Sequence, residues 1–151
     1  MHAPVVIPGS NLVPPVLTYN PRGGRWRLAQ RYPCDDHGTR LEVPRGFAFD
    51  LASVPRSAWW AIAPFEFAIL APLLHDFLYV HGGRLPAAAV HPYRAYTRRE
   101  TDLLFLEIMR REGIAGWRCR TAFNAVRLFG GAVWPGAMFP EEERAIRLLP
   151  V

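Results

Sequence analysis

The sequence predicts an α+β domain, a small antiparallel sheet from the first third of the chain covered by three main helices from the last two-thirds. Three observations carry this. Short apolar or alternating segments between residues 16 and 50 are separated by turn-forming residues. From Phe65 onward apolar residues recur at helical spacing. Thr97-Arg98-Arg99-Glu100 has the form of a capping box, a hydroxyl followed three residues later by a carboxylate, which marks a helix start.

Residues 1–15 carry Pro4, Pro8, Pro14 and Pro15 and read as a proline-stiffened arm, because proline fixes φ and removes a donor. Residues 16–151 then form one α+β domain, since a chain of 151 residues holds a single core and buries roughly two-thirds of its unfolded surface. Val16 to Tyr19 is a short strand and Asn20 to Gly24 a turn. Arg25 to Tyr32 alternates over eight residues, setting Trp26, Leu28, Gln30 and Tyr32 on one face and Arg25, Arg27 and Arg31 on the other with Ala29. A turn over Cys34 to Gly38 returns the chain into a strand at Thr39 to Val43. Phe47 to Asp50 is extended and delivers Asp50 to the end of the sheet.

The helical part begins near Pro64, is kinked or restarted at Pro72, and stops at Gly82-Gly83. A loop broken by Pro86, His91 and Pro92 leads to the Thr97 cap, and that helix runs to about Glu112. Trp117 to Trp134 forms another amphipathic helix, ended by Gly130-Gly131 or Pro135. Pro140-Glu141-Glu142-Glu143 opens a last short one, with acids at its positive end.

Composition sets bounds on function. Half of the residues are apolar, which excludes wholesale disorder. A formal net charge of +5 favours anionic partners in general. Cys34 and Cys119 are too few for a four-thiolate metal site and show no CxxC spacing, so free thiols in a reducing compartment are expected. The N-terminus lacks a basic region followed by an apolar one, so no secretory signal is expected. The longest apolar run, Phe65 to Val80, is interrupted by Glu66, Pro72, His75 and Asp76, short of the roughly 20 clean residues of a membrane span.

The most informative stretch is Leu73-Leu74-His75-Asp76-Phe77-Leu78-Tyr79, a histidine and an aspartate inside an apolar run. Stripping water from an unpaired charge costs several kcal/mol, so these groups need partners. Asp50 and Asp102 are the candidates; Asp102 shares a helical stripe with Phe105, Leu106 and Met109 and therefore points inward. Three readings compete. In the first, the cluster is a self-satisfied polar network fixing helix against sheet. In the second, Asp50, His75, Asp76 and Asp102 hold a divalent ion, Zn²⁺, Mn²⁺ or Mg²⁺, that activates water for hydrolysis. In the third, Ser53 is a nucleophile with His75 as its base, oriented by Asp50, Asp76 or Asp102. There is no HExxH helix, no GxxxxGK[ST] loop and no GxGxxG.

Two further features attract weaker readings. Arg25, Arg27 and Arg31 would grip nucleic-acid phosphates, although a row of outward charges is ordinarily solvation or edge protection. His37 beside Asp35 and Asp36 would bind a cation, although such residues ordinarily just make a turn.

The order His75-Asp76 then Asp102 resembles the ligand order of HD-type phosphohydrolases, but that family needs an upstream helical histidine, and His2 and His37 lie in an arm and a turn. Phe49-Asp50-Leu51-Ala52-Ser53-Val54-Pro55-Arg56, Leu74 to Tyr79, Arg99 to Phe105, Ala125 to Gly130 and Trp134 together resemble the DUF1353 family, over about residues 40 to 134. The resemblance implies a frequent home in tailed phages and prophages, hence an accessory or virion structural protein. Its location would be the virion or host cytoplasm, and its partners other virion proteins or copies of itself. The resemblance implies no activity.

Overall fold

The computed structural model describes residues 12–22, 25–49 and 70–134. Among the described residues six short strands form two three-stranded antiparallel sheets, and three helices accompany them, the first of which precedes the sixth strand. The α+β class is as the sequence predicts, with the strand region divided into two sheets. In the first sheet β1 (Leu17–Asn20) pairs with β2 (Arg25–Leu28), which pairs with β5 (Ala48–Phe49). In the second, β3 (Tyr32–Asp36) pairs with β4 (Thr39–Val43), which pairs with β6 (Val90–His91).

The expected eight-residue strand from Arg25 to Tyr32 is therefore two strands in different sheets. The chain bends at Ala29 and Gln30, and β2 spends its pairing on β1 and β5 while β3 spends its own on β4. Leu28 and Tyr32 are buried as the alternation requires, but Trp26 is exposed and lies against Tyr19, its cross-strand partner, with ring centroids 4.9 Å apart. The turn expected over Cys34 to Gly38 is tighter. Cys34 and Asp35 stay in β3, and only His37 and Gly38 turn, with φ of 47° and 90°. Positive φ at both central residues is what a type I′ hairpin demands, and its twist matches that of the flanking strands. Pro33 is tolerated inside β3 because β3 is an edge strand.

Burial alternates cleanly on the hairpin: Tyr32, Cys34 and Asp36 on β3 and Thr39, Leu41 and Val43 on β4 face inward. Tyr32, Cys34, Leu41 and Val43 share one hydrophobic core with α1 (Leu70–Val80), in which every residue but Val80 is buried. A helix apolar on all sides belongs in the middle of a domain. Here β5 covers one side, Phe47 meeting Phe77 edge-on at 5.2 Å, and α2 (Arg98–Arg111) covers another. Next, α3 (Gly116–Phe129) packs on α2. Phe105, Ile108, Met109, Ala122 and Val126 fill the space between these helices and α1.

The helix ends are fixed as the sequence indicates at α2. The Thr97 hydroxyl accepts from the Glu100 N–H at 3.2 Å, and the Glu100 carboxylate accepts from the Thr97 N–H at 2.8 Å. Gly83, with φ of 74°, follows α1, and an added Cβ would lie 1.7 Å from the Tyr96 carbonyl oxygen, so only glycine lets the two segments pair this closely. Between them a 3-10 turn (Ala87–Ala89) and β6 interrupt what sequence alone makes a plain loop. The last helix expected from Pro140 and the arm over residues 1–11 lie outside the described residues. Cys34 and Cys119 are free and buried. Among the described residues no helix is long and apolar enough to cross a membrane.

Glu112, at the end of α2, turns its carboxylate onto the first described turn of α1, accepting from the N–H groups of Leu70 at 3.1 Å and Ala71 at 3.3 Å. Burial pushes its carboxyl up to about 7, against the pull of those two N–H bonds in the other direction. A carboxyl raised in the folded state binds its proton more tightly there than in the unfolded chain, so its stabilisation is complete below about pH 4.5 and lost as pH rises through about 7. Chemical denaturation of the wild type and Glu112→Gln across this window checks the assignment. The wild type should lose about 3 kcal/mol relative to the variant between the two limits. A pH-independent difference would contradict it.

Candidate functional site

The apolar surroundings of α1 make the residues His75 and Tyr79 a matched pair, one turn apart on the same stripe. Both rings face α2, stacking on each other with centroids 4.1 Å apart, and His75 also meets Phe105 at 4.7 Å. Their shared polar partner is Asp102, which is fully buried. Its Oδ1 accepts from Nε2 of His75 at 2.8 Å and from the Tyr79 hydroxyl at 2.7 Å. Its Oδ2 accepts from Nη1 of Arg127, on the last turn of α3, at 2.7 Å. Arg98, four residues before Asp102, holds its guanidinium 4.0 Å from the same oxygen and donates to the carbonyls of Val126 and Arg127. One carboxylate thus binds α1 and α3 to α2, and Arg98 satisfies carbonyls at the C-terminal end of α3, where the helix dipole favours a cation.

Burial pushes the Asp102 carboxyl up, but the hydrogen bonds from His75, Tyr79 and Arg127, with the attraction of His75, outweigh it and hold the group below its ordinary value. The Tyr79 hydroxyl is pushed above its ordinary range by burial and by its bond to Asp102, so it is a donor throughout the working pH range. An ionised carboxylate only accepts, which puts the hydrogen of His75 on Nε2. Trp134 closes the outer side, edge-on to Tyr79 at 4.8 Å.

Of the residues expected to form a centre, His75 and Asp102 meet as read from the sequence. Asp76 is buried on the adjoining face of α1. Asp50 and Ser53 lie outside the described residues. Sequence reasoning missed Tyr79, Arg98 and Arg127 as members; the spacings His75 to Tyr79 and Arg98 to Asp102 held a signal for two of them, and nothing local marked Arg127. Among the described residues the one group of histidine, cysteine and acidic side chains close enough to share an ion is elsewhere, at Asp36, His37 and Glu107. The arginines considered for nucleic acid are partly committed: Arg27 donates to the Gly46 carbonyl at 3.2 Å and Arg31 pairs with Glu42 at 3.5 Å, while Arg25 is exposed on β2.

Gly130 caps the far end of α3 against Tyr79, and a Cβ there would lie 2.5 Å from the Tyr79 hydroxyl oxygen. Gly130→Ala should therefore destabilise the fold by about 1–3 kcal/mol by displacing that hydroxyl from Asp102. In Tyr79→Phe the colliding atom is gone, so a double-mutant cycle should show the two losses to be less than additive. Strict additivity would mean that the glycine and the tyrosine are not coupled through this contact.

The chain is similar to one curated protein and to one family model. An uncharacterised protein, y4jT, of Sinorhizobium fredii (strain NBRC 101917 / NGR234) is 32% identical over 111 residues, which is 70% of this chain and 29% of that protein. The chain thus spans under a third of this relative's length. No solved structure matches. The model of a family described as "Protein of unknown function (DUF1353)" matches residues 26–126, a span holding His75, Tyr79, Arg98 and Asp102; the chain belongs to the DUF1353 family.

Proposed function

We propose that the chain is a phage-associated accessory or virion structural module in which the Asp102 cluster braces the helices and takes no part in a reaction. One observation carries the reading. Asp102 is wholly buried and both of its oxygens are engaged by protein donors, two on Oδ1 and one on Oδ2. A metal ligand or a reacting carboxylate needs a lone pair aimed at an ion or substrate, whereas these lone pairs are aimed at three side chains of the fold. His75 is 1% exposed, so in this conformation its ring meets neighbouring rings rather than solvent.

The phage setting draws its support from the D-x-A-S-x-P-R and L-H-D-x-L-Y segments, whose resemblance implies that home. The length of the Sinorhizobium relative suits a module that works beside other segments. A hydrolytic centre built on Asp50, His75, Asp76 and Asp102 gains no support from a buried carboxylate that already accepts three hydrogen bonds from the fold. Nucleic-acid binding through Arg25, Arg27 and Arg31 gains none from an Arg31 already paired with Glu42.

A brace and a reaction centre respond oppositely to mutation. Groups held for chemistry sit at a cost to the fold, and their replacement leaves stability unchanged or raises it. Removing one partner of a buried charged network leaves the others unpaired. Asp102→Asn should therefore lower the unfolding free energy at neutral pH by about 3–5 kcal/mol. That deficit should shrink as pH falls through the depressed folded-state value of the carboxyl, where the wild type loses its own charge. An Asp102→Asn protein as stable as the wild type would overturn the brace. For the setting, mass spectrometry of particles purified after prophage induction should find the chain in the particles, and its confinement to the soluble lysate would overturn a virion role.

A further inference from the structure

We propose that Asp36, His37 and Glu107 form a binding site for one first-row divalent cation, Zn²⁺ or Mn²⁺, on the face opposite in character to the buried brace. One ligand atom from each residue lies within 4.8 Å of the other two. The residues come from the end of β3, the first position of the hairpin turn and the third turn of α2, so the fold brings His37 and Glu107 together across 70 positions of sequence. Nε2 of His37 sits 2.8 Å from Oε1 and 3.0 Å from Oε2 of Glu107. Both side chains reach solvent.

An exposed histidine–glutamate pair alone would be ordinary surface electrostatics. Asp36 makes the difference. It is buried to 9% exposure, its hydrogen-bond partner is the neutral hydroxyl of Tyr96 at 2.7 Å, and among the described residues no arginine forms an ion pair with it. A buried carboxylate without a cation is costly, and a divalent ion shared with Glu107 would neutralise both charges. Tyr96 supplies the outer hydrogen bond that orients a ligating carboxylate. Ligand distances of about 2.0–2.2 Å around zinc bring ligand atoms to roughly 3.5 Å from one another, so closing the present triangle takes about an ångström of rotamer adjustment in two solvent-facing side chains. One imidazole with two carboxylates suits zinc or manganese rather than a soft ion. A depression of about 200 Å³, which Asp36, Tyr96 and Glu107 line together with the apolar Leu103 and Leu104, lies beside the set and has room for waters completing the shell.

The test is titration calorimetry and thermal denaturation of the full chain, stripped with chelator and then given Zn²⁺ or Mn²⁺, in the wild type, His37→Asn, Glu107→Gln, Tyr96→Phe and His91→Ala. Asparagine tolerates the positive φ at position 37, so that variant removes the imidazole without straining the turn. The expected result is one ion per chain and a melting point raised by several degrees in the wild type and in His91→Ala. Both effects should be lost in His37→Asn and Glu107→Gln, whose metal-free melting points stay near that of the wild type, and Tyr96→Phe should bind roughly ten-fold more weakly. No binding of either ion by the wild type would overturn the proposal, as would binding that survives in both ligand variants.

Discussion

The fold depends on a carboxylate that has been taken out of water. Asp102 sits where three helices meet, and the loss of its hydration is offset only because His75, Tyr79 and Arg127 each direct a donor at it. The constraint acts in both directions. With the carboxylate in place, α1, α2 and α3 have one relative position in which every polar group is answered; displaced, each donor becomes an unpaired buried group of its own. Apolar packing of α1 drives the helices together without regard to register, and the directional bonds to Asp102 select the register.

The same logic explains how the rest of the structure is arranged around α1. Its near-complete burial requires cover, which β5 and α2 supply among the described elements. Its described N-terminal turn is tied down by Glu112, its C-terminal turn by Tyr79 on Asp102, so a helix made almost wholly of apolar residues is held at both ends by carboxylates from α2. The two carboxylates differ in kind. Asp102 is surrounded by donors and stays ionised, whereas Glu112 has two backbone N–H groups and, among the described residues, no ion-pair partner, and burial wins.

What was legible in the sequence were the features that local chemistry decides. The Thr97 capping box, the inward stripe holding Asp102 and the need of His75 for a partner all follow from short-range rules. The alternation from Arg25 to Tyr32 misled, because it continues across the bend at Ala29 and Gln30 that divides it between two sheets. β6 could not be seen at all: two residues next to a proline become a strand only because β4 offers them an edge. Arg127 and Glu107 were equally hidden, since each meets its partner across at least 25 residues, and a long side chain on a helix surface carries no mark of where its end will lie.

This DUF1353 chain has an interior that holds the helices and, apart from it, a group at the hairpin turn in which Asp36 is buried while His37 and Glu107 reach solvent. The two make independent demands on the chain. The proton on His75 reports most directly on how the interior is held. Nitrogen-15 NMR of the imidazole at neutral pH should find hydrogen on Nε2, slow to exchange with water and coupled to a carboxylate acceptor. An Nε2 without hydrogen, or one exchanging freely with solvent, would contradict the bond on which the arrangement of the three helices rests.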